Sequence, residues 1–303
     1  MEEKKCDEIF DHFEKRQKRK KSLKRGEINN EKIFERKELQ VMNKKLVITL
    51  ISIYFLLSES YTERINFNIF FGRTSVEMKD ANEELRNIEQ SLRNVLESLF
   101  ELLGGTTKSS LKEFKEGDYF TGWVTYELTK QYSIGVKASY LSSNAQILVE
   151  SSAIVLNQQI YAKVDIPMNT NLTSIMVGNS YLLPLSEKFQ VLGSVWFGYS
   201  YADFNGSVNR EFTDQQSQNY SFSYKGEDLV AEGSVNLQYV LSQSFLVGFE
   251  VGYRYVKIDE LKSTKDVTEM DVETGDVLKT QNDEQLPFDY TGLFYGINIV
   301  VRF

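Results

Sequence analysis

After residue 60 the chain alternates apolar and polar residues with a period of two. That period admits extended strands with two chemically unlike faces and little else. Between Phe245 and Tyr255 the odd positions are Phe245, Val247, Phe249, Val251, Tyr253 and Tyr255, while the even ones are Leu246, Gly248, Glu250, Gly252 and Arg254. From Phe189 to Tyr201 the odd positions are mostly apolar or aromatic, against Gln190, Leu192, Ser194, Trp196, Gly198 and Ser200. Tyr132, Ile134, Val136, Ala138 and Tyr140 likewise oppose Ser133, Gly135, Lys137 and Ser139. Only three prolines interrupt the chain, as long hydrogen-bonded ladders require.

A soluble sandwich also alternates, with its apolar face inward. Two features favour a closed barrel in a membrane. The apolar faces end in Tyr and Phe, which together number 37, and aromatic girdles mark the two edges of a lipid belt. The opposite faces are rich in Gly and Ser with isolated charges, which suits a narrow lumen. No stretch of 18 apolar residues offers a spanning helix. Mean hydropathy is −0.35 because alternation averages the two faces.

Three segments, 126–135, 183–193 and 239–248, share one layout: a Leu, a short polar turn, an aromatic (Tyr132, Phe189, Phe245), then Gly. Counting outward from these turns gives eight strands, about 64–75, 119–129, 131–154, 159–183, 188–204, 222–241, 244–260 and 288–303. The predicted fold class is therefore all-β, a closed eight-stranded antiparallel up-and-down transmembrane barrel. In the fourth strand Asn179 falls on the apolar face and Pro167 interrupts the outer part, which a bulge or an extramembrane ladder would explain.

The N-terminus reads as two segments in series. Residues 1–41 form a charged extension with a basic core, Lys15 to Arg25, expected to be an upstream leader rather than a nucleic-acid arm. Met42 then begins a signal-peptide layout over 42–60: a basic start, the apolar run Leu46–Leu57, and Ser58-Glu59-Ser60 before a cut. Translation is expected to start at Met42. The barrel then occupies 61–303. Without residues 1–60 the chain carries 20 Lys/Arg against 32 Asp/Glu, a net charge of −12, and has neither Cys6 nor His12. An acidic exported chain has no electrostatic reason to bind nucleic acid.

The chain ends with Tyr295, Ile297, Ile299, Val301 and Phe303 on one face and Gly296, Asn298, Val300 and Arg302 on the other. A terminal Phe after alternating apolar residues resembles the C-terminal assembly signal of bacterial outer-membrane β-barrels. The position five residues before the final aromatic, often Gly in that family, is Asn298. The resemblance covers about 61–303 and is to the small eight-stranded type, similar to the barrels of outer-membrane proteins A and W. It implies residence in the outer membrane, contact with its lipid, and handling by the barrel-assembly machinery. Fold alone does not give function.

An insert at about 77–117 carries Leu85, Ile88, Leu92, Val95, Leu99 and Leu102 at helical spacing, with Gly104-Gly105 as the stop. By parity it lies over the outer barrel mouth, expected to pack on its own rim. Glu127, Lys137, Glu232, Glu250, Arg254 and Arg302 project inward and are predicted to form one salt-bridge network, since buried charges need partners. The barrel enzymes of this resemblance mostly rely on His, and His12 lies in the expected leader, so no catalysis is expected. Asp266, Glu269, Asp271, Glu273, Asp276, Asp283 and Glu284 crowd the last outer loop without calcium-loop spacing and read as a solvated acidic loop. No metal or cofactor is expected, and a monomer is. The predicted role is structural or surface-interacting; the alternative is a passive narrow channel or a carrier for a small or hydrophobic molecule.

Overall fold

The three short turns bond identically. In each, two successive backbone N–H groups donate to one aromatic carbonyl: Leu128 and Thr129 to Tyr132, Leu185 and Ser186 to Phe189, Leu241 and Ser242 to Phe245. Hydroxyls of Thr129 and Ser186 accept from the N–H of the aromatic at 3.0 and 3.1 Å. These turns set the register of the strands they join.

A computed structural model describes residues 65–213, 217–268, 272–280 and 282–303. The charged extension 1–41, the signal layout 42–60, Glu269 and Asp271 lie outside the described residues. The strands are β1 (Ile65–Ser75), β2 (Thr106–Lys112), β3 (Glu116–Glu127), β4 (Tyr132–Val155), β5 (Gln158–Pro184), β6 (Phe189–Phe212), β7 (Gln218–Val240), β8 (Phe245–Tyr255), β9 (Lys257–Ile258), β10 (Lys262–Ser263), β11 (Phe288–Asp289) and β12 (Gly292–Arg302). A helix, α1, spans Lys79–Glu101. Antiparallel pairing runs β1–β3–β4–β5–β6–β7–β8–β12 and returns from β12 to β1. The ring of eight strands closes where Phe303 N–H donates to the Ile65 carbonyl at 3.0 Å. This is the fold of outer-membrane β-barrels.

β4 to β7 rise well beyond their neighbours, and there the chemistry of the two faces exchanges. On β4, Ile134, Val136 and Tyr140 face out, while Lys137 and Ser139 are buried inside. From Leu141 upward the same inward parity carries Leu141, Ala145, Ile147 and Val149, all buried, and the outward parity carries Ser142, Asn144 and Gln146. The register with β5 is unbroken from Tyr132↔Tyr181 to Val155↔Gln158, so no bulge causes the change. The surroundings change instead: an apolar medium lies outside the lower ring, water outside the extension. β5, β6 and β7 exchange faces likewise, at Asn171, Asp203 and Glu227. The strands expected over 188–204 and 222–241 are longer, Phe189–Phe212 and Gln218–Val240. Past the exchange Phe204 and Phe222 belong to the opposite parity from the belt, yet the strands run on to Phe212 and back to Gln218.

Pro167 lies in this extension, exposed. The β5–β6 ladder skips Ile166 and Pro167 and resumes in the same register. The extramembrane ladder, not a bulge, accommodates it.

The insert at 77–117 holds a strand as well as the expected helix. α1 ends at Glu101, Gly104 takes a left-handed φ of 66°, and β2 follows, pairing with the outer half of β4. β2 was invisible in the sequence because Thr106–Lys112 buries neither face fully. The helical stripe also divides. Ala81, Leu85, Leu96 and Phe100 are buried, with Ile88 and Leu92 packed beside them, whereas Val95, Leu99 and Leu102 are exposed. A strict 3-4 repeat drifts around a 3.6-residue helix, so its second half leaves the contact face. Asn82 ties the helix to its barrel by accepting from the Phe114 N–H at 2.9 Å and donating to the Phe114 carbonyl at 2.8 Å. Arg86 and Lys115 hold the Glu113 carboxyl below its ordinary pKa through hydrogen bonds and charge.

Candidate functional site

The lower lumen is closed by aromatic rings laid over glycines. Trp196, Phe70 and Phe294 are fully buried and Trp123 nearly so. A Cβ on Gly178 would meet the Trp196 ring at 2.6 Å, on Gly252 the Phe294 ring at 2.2 Å, and on Gly72 the Phe70 ring at 2.5 Å. Each glycine supplies the space a neighbouring ring fills. Trp123 and Trp196 meet at 6.3 Å and Tyr119 meets Phe294 at 5.0 Å. The sequence signal for this plug was the inward parity of Trp123, Trp196 and Phe294, overlooked beside the charges.

At the plug's centre Lys137 pairs with Glu232 at 2.6 Å, their side chains 1% and 0% exposed. The ammonium also sits 5.3 Å from the Trp123 and Phe294 centroids and 5.8 Å from Trp196, close enough for cation–π attraction. Tyr119 donates to Glu232 in a short hydrogen bond and lies beneath the Arg254 guanidinium at 5.0 Å. Arg254 donates to the Tyr290 carbonyl at 2.7 and 3.0 Å and to Thr74 at 3.2 Å. Asn236 donates to Glu250 at 3.4 Å.

The six inward charges therefore do not form one network. Lys137, Glu232 and Arg254 are joined through Tyr119; Glu250, hydrogen-bonded to Asn236 and Ser234, lies within the field of Lys137 and Glu232. Glu127 and Arg302 lie at the turn end and line a separate recess of about 20 Å³. Glu127 accepts from Asn66 at 2.9 Å, and no ion pair joins it to Arg302 among the described residues. Tyr295, Ile297, Ile299 and Val301 share the outward face of β12, and Phe303 follows its last residue.

Above the plug, where the inward face turns apolar, the extended strands, α1 and the last outer loop line an open cavity of about 330 Å³. Its walls include Leu85, Ile88 and Leu92 of α1, Ile166 and Met168 of β5, Phe204 and Val208 of β6, Phe222 of β7, and Leu286 and Phe288 after the loop. Three charged residues, Glu84, Arg210 and Lys279, and two tyrosines, Tyr220 and Tyr224, join them. The cavity falls within the usual size range of small-molecule sites and has their usual makeup, apolar walls with few polar groups. No sequence signal pointed to it, because its walls come from α1, five separate strands and the last outer loop.

The acidic loop uses its own charges. Asp266 accepts from the Thr274 N–H and hydroxyl at 2.7 Å, Asp276 from the Glu273 N–H at 2.7 Å, and Asp283 from Lys279 at 2.7 Å. Those hydrogen bonds hold the Asp266 carboxyl below its ordinary pKa.

No protein-family model and no curated protein matches this chain. Among solved structures it is similar to the attachment invasion locus protein Ail of Yersinia pestis, crystallised with the heparin analogue sucrose octasulfate: 11% identity, 80% of this chain and 100% of that one covered, TM-score 0.32. It is similar to the outer membrane protease OmpT of Escherichia coli at 12% identity, 81% and 99% coverage and TM-score 0.29. Outer membrane protein AlkL gives 10% identity, 81% and 93% coverage and TM-score 0.34. Likeness at this level carries no functional argument; the fold rests on the closed ring itself.

Proposed function

We propose that this chain is an integral, monomeric protein of a bacterial outer membrane with a surface-interaction role, in which a plugged barrel displays an outer cap to the medium. The observation that carries the reading is the belt of exposed Ile, Val, Leu, Phe and Tyr around the lower ring, such as Phe71, Val136, Val177, Phe197, Val235 and Phe249. An exposed apolar band of this extent has no soluble use. Tyr and Phe gather at both edges, with Phe71 on Phe120 at 4.9 Å near one and Phe189 on Tyr239 at 5.1 Å near the other. Above the belt the outward face turns polar on every long strand, which fits a surface in water. The reading includes a signal peptide at 42–60, assembly through the terminal strand ending in Phe303, and no catalysis.

Two measurements test it. N-terminal sequencing of protein from an outer-membrane fraction should begin at Tyr61, with an unboiled gel shift; recovery by carbonate without detergent would overturn membrane insertion. In planar bilayers the purified barrel should give no unitary openings, because buried rings and the Lys137–Glu232 pair fill the lumen. Defined openings would restore the channel.

A carrier role is the second reading, favoured over a channel by the apolar cavity above the plug.

A further inference from the structure

We infer that the outer cavity binds a single apolar carboxylic acid of about a dozen carbon atoms, a medium-chain fatty acid, with its head against Arg210; this deepens the surface-interaction reading and rests on it. The size follows from the volume. A cavity of ~150 Å³ lined by Leu, Ile and Phe takes up benzene, so the 330 Å³ here holds roughly twice as many atoms. The walls at Ile88, Ile166, Met168, Phe222 and Phe288 offer carbon and sulfur surfaces only. They favour a chain or ring without polar groups along its length.

The charges select the head. Lys279 is already paired with Asp283 at 2.7 Å. Glu84 has its own partner. Arg210 differs: it lines the cavity, is half-buried, and lies over the Tyr220 ring at 5.3 Å, which fixes its guanidinium. It forms no ion pair among the described residues. A fixed guanidinium with free donors at the edge of an apolar cavity matches a carboxylate, which accepts two parallel N–H bonds. An alcohol would forgo the charge, and an ammonium would be repelled. The cavity is formed by the cap, above the lipid belt, so its ligand comes from the outer medium rather than by conduction through the lumen.

The test uses the full barrel in phosphatidylcholine nanodiscs, titrated with decanoic acid carrying ¹³C at the carboxyl, with empty discs as reference and decanol as competitor. The wild type should show a saturable carboxyl resonance, one per barrel, that titrates at lower pH than decanoate in empty discs, because a neighbouring guanidinium favours the ionised form. Arg210→Gln should weaken decanoate roughly tenfold or more and raise that titration while leaving decanol unchanged. Ile166→Trp, which fills the cavity, should abolish saturable binding of both, with the gel shift reporting that the barrel still folds. The inference is overturned if the wild type shows no saturable signal, if Arg210→Gln binds and titrates as the wild type does, or if Ile166→Trp leaves binding intact. Saturable decanol without a preference for decanoate would overturn the carboxylate assignment and keep a surface-binding role. Failure of membrane insertion would instead remove the reading beneath it.

Discussion

Lys137→Ala is expected to destabilise the barrel by about 3–5 kcal/mol, the cost of leaving one partner of a buried ion pair uncompensated. Its ammonium is 1% exposed, bonds Glu232 at 2.6 Å and faces three aromatic rings. Without it, Glu232, buried among aromatic rings, retains only the Tyr119 hydrogen bond. Urea unfolding in lipid vesicles, followed by the emission of Trp123 and Trp196 beside the pair, reads the loss directly. The double variant Lys137→Met with Glu232→Gln should recover most of it, since two neutral groups of similar volume remove the stranded charge. A single-variant loss below about 1 kcal/mol would mean that the pair is hydrated and the plug open.

Phe197→Arg should cost about 2–4 kcal/mol, and Asn205→Arg, on the same face of the same strand, within about 0.5 kcal/mol. Both positions point outward on β6, eight residues apart. Phe197 sits mid-belt between Val177 and Ala231, whereas Asn205 lies past the exchange of faces, between Asn169 and Ser223. In water both substitutions would be mild, because exposed positions tolerate charge. Only a lipid belt that ends between them separates the two. Refolding yield and urea midpoint in vesicles check this, and equal effects at the two positions would remove the membrane boundary drawn at Asp203.

How much was legible in advance depended on range. The turns at 129–131, 186–188 and 242–244 follow from a local pattern, and so do the eight strands, because pairing register follows from tight turns and period two. The six inward charges followed from the same parity. Their partners did not. In the β7–β8 register Glu232 stands opposite Arg254, yet it bonds Lys137 across the lumen. Parity says which side a side chain takes; it carries no information on what meets it there. The helical stripe shows the same limit: six apolar positions at the right spacing marked α1, but its packing surface chose Leu96 and Phe100 over Val95 and Leu99.

The order of residues alone determined that this chain makes eight alternating strands and which of their faces are apolar. These are consequences of backbone geometry and nearest neighbours. Ring closure decided the rest. It placed five aromatic rings, the Lys137–Glu232 pair and the Arg254 guanidinium in one lumen, and it turned one unbroken parity from polar to apolar where the outside changes from lipid to water. It also gathered walls from α1, five strands and the last outer loop into one cavity beside Arg210. Those contacts join residues dozens to hundreds of positions apart, and they exist only once β12 meets β1.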